Sequence, residues 1–149
     1  MTRVERAVRA LRALTWPQRA VLLRAWLLLP TVALGLRLVG YRRLRRWLTD
    51  PVPSGTRRDL AEAELTTRLV RGAAAWSLPR PKCLTRSLVL ERLLRHAGLE
   101  AELRIGVERP DGTFAAHAWV EHAGVPLSEP EAVDERYAVL TAPRPRHEG

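Results

Sequence analysis

Cysteine occurs once in the 149 residues, at Cys83 within KCLTRSLVLERLL (82–94), and histidine four times, at His96, His117, His122 and His147. One thiol, one imidazole and one carboxylate suffice for acyl chemistry. The histidine takes the thiol proton, the carboxylate holds the histidine tautomer, and the thiolate attacks a carbonyl carbon. Cys83 follows LPRPK, a loop with two prolines, and stands directly before helical spacing over Leu84–Ala97. A thiol at a helix start lies beside first-turn N–H groups without partners, and these, with Lys82 adjacent, favour a negative sulfur. Taken alone, Cys83 reads first as a small core side chain, the commoner role of an isolated cysteine.

The segments after that helix supply the other two groups. Gly98 provides a left-handed stop, and in LEAELRIGV (99–107) apolar and polar residues alternate, which predicts a strand. RPDGT (109–113) reads as a turn, FAAHAWVE (114–121) as a second strand, HAG (122–124) as a turn, VPLSE (125–129) as a third strand and Tyr137–Thr141 as a fourth. With a three-residue turn, Glu121 faces Val125, Trp119 faces Leu127 and His117 faces Glu129. Opposed residues share a side of the sheet with Cβ atoms about 4.5–5.5 Å apart, so register alone would join imidazole and carboxylate. A two-residue turn would set Pro130 against His117 instead. Trp119 shares the side of His117 and reads as core cover, and Ser87, on the helix face of Cys83, as a packing residue. His122 is expected in the turn and exposed, His96 in the last helical turn, where it suits the dipole, and His147 in the tail.

Upstream, the spacing is helical. Val4, Ala7, Val8, Leu11 and Leu14 mark one helix, and a second starts near Thr15 with Pro17 in its first turn. Pro30 and Thr31 are expected to end that helix and cap a third running to Leu48, with Arg42, Arg43, Arg45 and Arg46 on its outer faces. DPVPSG (50–55) marks a boundary, and Asp59–Ala75 reads as a further helix. Residues 1–50 carry 11 arginines against Glu5 and Asp50, so the whole +9 excess lies there, while residues 51–149 balance 14 basic with 14 acidic groups. Such a stretch suits nucleic acid, an acidic membrane surface or an acidic partner, or is simply a set of solvated faces.

Composition narrows the choices. A single cysteine excludes an internal disulfide and points to a reducing compartment. One cysteine and scattered histidines match no usual zinc spacing, and no glycine-rich phosphate loop is present, so neither metal nor cofactor is expected. The charged start lacks the apolar core of a secretory signal. The longest weakly polar run, Ala25–Leu36, is interrupted by Pro30 and falls short of the about 20 residues of a membrane span. The expectation is a cytoplasmic protein with no stable membrane span.

Cysteine opening a helix, histidine on one strand and a carboxylate on the next is the order of the transglutaminase-like cysteine enzymes. More closely, KCLTRSLVLERLLRHAGLEAELRIGV, HAWVE and GVPLSE resemble the leader-peptidase half of the lasso-peptide B proteins over about residues 56–130. The resemblance implies an α+β protein, an N-terminal helical region followed by a papain-like/transglutaminase-like core with the nucleophile helix on a small antiparallel sheet. It divides the chain into a basic helical region (1–55), a peptidase core (56–142) and a tail (143–149). It implies Cys83 as nucleophile, His117 as base and Glu129 as the third group, where the family usually carries Asp, with Glu131 and Asp134 in reserve. The implied function is removal of the leader from a ribosomally made precursor peptide, with a separate small leader-binding protein as partner and a lasso cyclase downstream. Acyl transfer to an amine by the same residues is the rival within enzymes, and a non-catalytic basic nucleic-acid-binding module the rival outside them. The first 50 residues hold no recognition motif for the latter.

Overall fold

The computed structural model describes residues 2–48, 57–108, 113–127 and 137–140. Among these, five helices precede four strands: α1 (Arg3–Ala13), α2 (Trp16–Leu38), α3 (Gly40–Leu48), α4 (Leu60–Ala75), α5 (Cys83–His96), then β1 (Glu102–Glu108), β2 (Ala115–His122), β3 (Val125–Leu127) and β4 (Ala138–Val139). The strands form one antiparallel sheet in the order β3-β2-β1-β4, a mixed α+β architecture.

Local chemistry accounts for most helix ends. Thr2 and Glu5 form a reciprocal cap on α1, the Thr15 N–H donates to Gln18 Oε1 at 3.0 Å at the start of α2, with Pro17 in its first turn, and Asp59 caps α4 through the Glu62 N–H at 3.0 Å. The expected break at Pro30 does not occur. Helix α2 runs through it for 23 residues, and Thr31 Oγ1 donates to the Leu27 carbonyl at 2.8 Å in the turn that the proline disturbs. The chain breaks instead at Gly40, whose φ of 77° a side chain would disfavour, so the helix expected from Thr31 to Leu48 is divided between α2 and α3.

The sheet lays one face on the helices. Leu103 and Ile105 of β1, Ala118 and Val120 of β2 and Leu127 of β3 pack with Leu88, Val89, Leu93 and Leu94 of α5 and Ala63, Val70 and Ala73 of α4. Ala25, Leu29, Val32 and Leu44 belong to the same cluster, so α2 and α3 share one core with the segment after residue 56, and the boundary drawn at residue 55 does not separate two cores. A charged cluster crosses this interior. Glu91, buried on α5, pairs with Arg45 of α3 and lies 3.7 Å from Arg95, and its Oε1 accepts the Leu103 N–H at 3.3 Å. Burial opposes the charge on Arg45, but the hydrogen bond and the field of Glu91 outweigh it, and the guanidinium pKa is raised above its ordinary value. Arg45 is therefore half-buried and structural, whereas Arg42, Arg43 and Arg46 are exposed as expected.

Strand boundaries shift from expectation at one end. Leu99 is fully buried but precedes β1, forming a parallel bridge with Arg57 ahead of α4. The hairpin turn also differs. His122 pairs with Val125, Glu121 with Pro126 and Val120 with Leu127, so the turn has two residues, Ala123 and Gly124, and not three. Both have positive φ, 50° and 81°, the backbone that a tight two-residue hairpin requires to match strand twist.

Candidate active site

Cys83 is the first residue of α5, following Lys82 at the cap position. Lys82 has extended backbone and offers no side-chain cap, and no acidic group stands in the first turn, so the positive end of the helix is directed at the segment carrying the thiol. Cys83 is neither fully buried nor fully exposed. It lines a cavity of about 130 Å³ between α4, α5 and the β2–β3 hairpin, whose walls include Thr67 and Arg71 of α4, Ser87 of α5, and Ala118 and Leu127.

Ser87 ties this helix to the sheet. Its buried Oγ donates to the Ala118 carbonyl at 2.9 Å. Cys83 lies one helical turn before Ser87, and His117 is the residue before Ala118, so this one bond brings the start of α5 to the stretch of β2 that carries the imidazole. The packing role expected for Ser87 is thus observed, with a specific partner.

Alternation along β2 then divides its side chains. Ala118 and Val120 face the helices, while His117, Trp119 and Glu121 take the other side. The His117 ring stacks on Tyr137, with centroids 5.3 Å apart, and on Trp119 at 6.2 Å. Trp119 is buried, and its Nε1 donates to Glu121 Oε1 at 3.2 Å, while Arg104 Nε donates to Glu121 Oε2 at 3.0 Å. Gly106, directly opposite His117, gives this row its space. A Cβ there would stand 2.7 Å from the Tyr137 Cβ and 2.9 Å from the Trp119 ring. Trp119 shares the side of His117, as the sequence predicts. Among the described residues, no hydrogen bond joins the Cys83 thiol to the His117 ring.

The carboxylate expected at Glu129, and the reserves Glu131 and Asp134, lie outside the described residues, as do the turn at 109–112 and the tail with His147. The reason given for Glu129 nevertheless changes. Its pairing with His117 needed a three-residue turn, and the observed turn has two. The assignment therefore stands on the resemblance alone. His122 is a further correction. It is not in the turn but at the end of β2, 1% exposed, with Nδ1 2.7 Å from the Glu100 carbonyl. Its Nε2 is buried without a partner among the described residues. His96 is exposed at the last turn of α5, as expected.

Three contributors to the site were not read from the sequence. The strand expected at Tyr137–Thr141 is observed as Ala138–Val139, but its pairing with β1 beside Gly106, which brings Tyr137 to His117, is a long-range match that the local pattern does not give. Arg71 and Arg86 come to the cavity from different helices. Their only signal was the positive charge itself.

A family model described as the transglutaminase-like superfamily matches residues 25–142. No curated protein and no solved structure matches the chain.

Proposed function

The chain belongs to the transglutaminase-like superfamily, and from that premise we propose that it is a cysteine peptidase that removes the leader from a ribosomally made precursor peptide in lasso-peptide maturation. The observation that carries this reading is the position of Cys83, at the start of α5 on a cavity wall and one helical turn from the Ser87 bond to Ala118. The superfamily includes cysteine peptidases and acyltransferases. The KCLTRS, HAWVE and GVPLSE segments favour the leader peptidase among them.

In the proposed reaction the Cys83 thiol gives its proton to His117 and the sulfur attacks the carbonyl carbon of the bond joining leader to core. First-turn N–H groups of α5 stabilise the resulting oxyanion. His117 returns the proton to the departing core amine as the C–N bond breaks, leaving the leader as a thioester on Cys83. Water then loses a proton to His117, attacks the thioester carbonyl and releases the leader acid, and the proton returns to sulfur. The step requires the imidazole within about 2.6–3.2 Å of the sulfur. Because His117 takes the side of β2 away from the helices, stacked on Tyr137 and Trp119, the proposed reaction requires that ring to leave its stack and turn toward the start of α5 when substrate binds. Glu129 is the proposed orienter of His117, one methylene longer than the usual Asp.

A separate small leader-binding protein delivers the precursor, and a lasso cyclase uses the freed core amine. The reducing cytoplasm, where a lone thiol stays free, is the proposed compartment. The test is mass spectrometry of a precursor peptide incubated with the chain and its leader-binding partner. Release of an intact leader acid and a core with a free amine is expected, with no release by Cys83→Ala or His117→Ala. Cleavage that survives Cys83→Ala would end the proposal. A leader recovered only as the amide of an added amine would assign acyl transfer instead.

A further inference from the structure

One face of α2 is left largely exposed by the described residues. At 100° per residue, the buried Ala25, Leu29 and Val32 lie on one side, and Trp16, Leu23, Leu27 and Leu34 lie on the opposite side, bordered by Trp26 and Leu38. These last six are all more than half exposed. Trp26 is 51% exposed, Leu27 54%, Leu34 56% and Leu38 74%. Pro30 and Thr31 are exposed in the same stripe, so it runs the length of the helix. By length and composition α2 could cross a membrane, contrary to the reading from its Ala25–Leu36 run. Its buried face, however, belongs to the core shared with α4 and α5, which a crossing would strip.

We infer that this stripe is a docking surface for an anionic membrane, with α2 lying in the plane of the interface. Charge chooses the occupant. The entire +9 excess lies in the first 50 residues, and Arg19, Arg24 and Arg37 on α2, along with Arg42, Arg43 and Arg46 on the adjoining α3, are exposed. A second copy of the chain on this face would bring two arginine-rich surfaces together, whereas anionic headgroups neutralise them. Exposed Trp16, Trp26 and Trp47 supply the amphipathic rings favoured at headgroup level, and Val4, Val8 and Leu11 of α1 are exposed as well. Cys83 and the cavity play no part in this surface.

Co-sedimentation of the full chain with vesicles, read together with tryptophan emission, tests it. Vesicles containing phosphatidylglycerol should pull the chain down and shift its emission to the blue, and vesicles of phosphatidylcholine alone should do so weakly. The combined Trp26→Ser, Leu27→Ser and Leu34→Ser variant should keep its far-ultraviolet circular dichroism and partition about a hundredfold more weakly. Leu34→Ser alone, the milder change, should show a smaller loss. Replacing Arg42, Arg43 and Arg46 with Gln should lower the preference for phosphatidylglycerol on the order of tenfold. Absence of binding to either vesicle, or equal binding by the serine variants, would overturn the inference. So would a stable dimer in solution that the serine variant dissolves, or loss of capture by a soluble leader-binding protein with no change in vesicle binding.

Discussion

Cys83 owes its position to two neighbours, Lys82 and Ser87. Lys82 takes the extended cap conformation, the absent side-chain cap leaves the helix end open, and Ser87 fixes the distance to the sheet. A thiol so placed is reachable from solvent. Iodoacetamide should therefore modify Cys83 in the folded chain and stop precursor processing; modification only after denaturation would show a buried core thiol. On the other side of the sheet, His117 is held by rings, and those rings need Gly106 to be glycine. Gly106→Ala would force Tyr137 and Trp119 apart from their contacts. Processing should fall severalfold or more, while the cost in stability is on the order of 1–3 kcal/mol. Thermal melting and turnover measured on one preparation separate the two effects, and an unchanged rate would mean that the ring stack does not position the imidazole.

At the scale of elements, the β2–β3 hairpin decides which residue can stand beside His117. Its two-residue turn places Ala123 at a φ of 50°, a conformation that asparagine tolerates better than alanine. Ala123→Asn should therefore raise stability by about 0.5–1 kcal/mol without altering the register, a gain visible in urea unfolding as a higher midpoint with unchanged slope. The same hairpin makes the third catalytic group a matter for mutation. By resemblance Glu129→Ala should depress processing strongly, Glu129→Asp should retain much of it, and Glu131→Ala and Asp134→Ala should do little. Damage confined to Glu131→Ala or Asp134→Ala would move the role to that residue.

Across the whole molecule, the Glu91 cluster joins α3, α5 and β1 through one carboxylate. Glu91→Ala removes the buried counter-charge that Arg45 and Arg95 share and the acceptor of the Leu103 N–H, so it should destabilise by about 3–5 kcal/mol, and the paired change Glu91→Leu with Arg45→Met should recover much of that. Because pairing raises the folded pKa of Arg45, its contribution is complete below the ordinary value of the free guanidinium and is lost only as pH rises through the higher folded value. Denaturation at moderately alkaline pH should therefore leave the difference between wild type and Glu91→Ala unchanged. A difference that collapses between neutral pH and mild alkali would refute the pairing.

Periodicity and caps made the separate elements legible. The helix opened by Cys83, the alternation of Leu103 and Ile105 with Arg104, and the shared side of His117 and Trp119 all follow from nearest-neighbour geometry, which a chain carries in its local order. Gly98 as a helix stop was legible for the same reason, its φ of 75° being one that glycine adopts freely. The passage of α2 through Pro30 was not, because packing on α4 and α5 outweighs one disturbed turn and propensity is a weak prior. The hairpin's register was not, because turns of two and three residues differ by a single step that no residue count excludes. Nor were the burial of His122, the arrival of Tyr137 at His117, or the role of Arg45. Each depends on which distant segment comes to rest against it, and that is settled by the packing of the whole core rather than by any stretch of residues read alone.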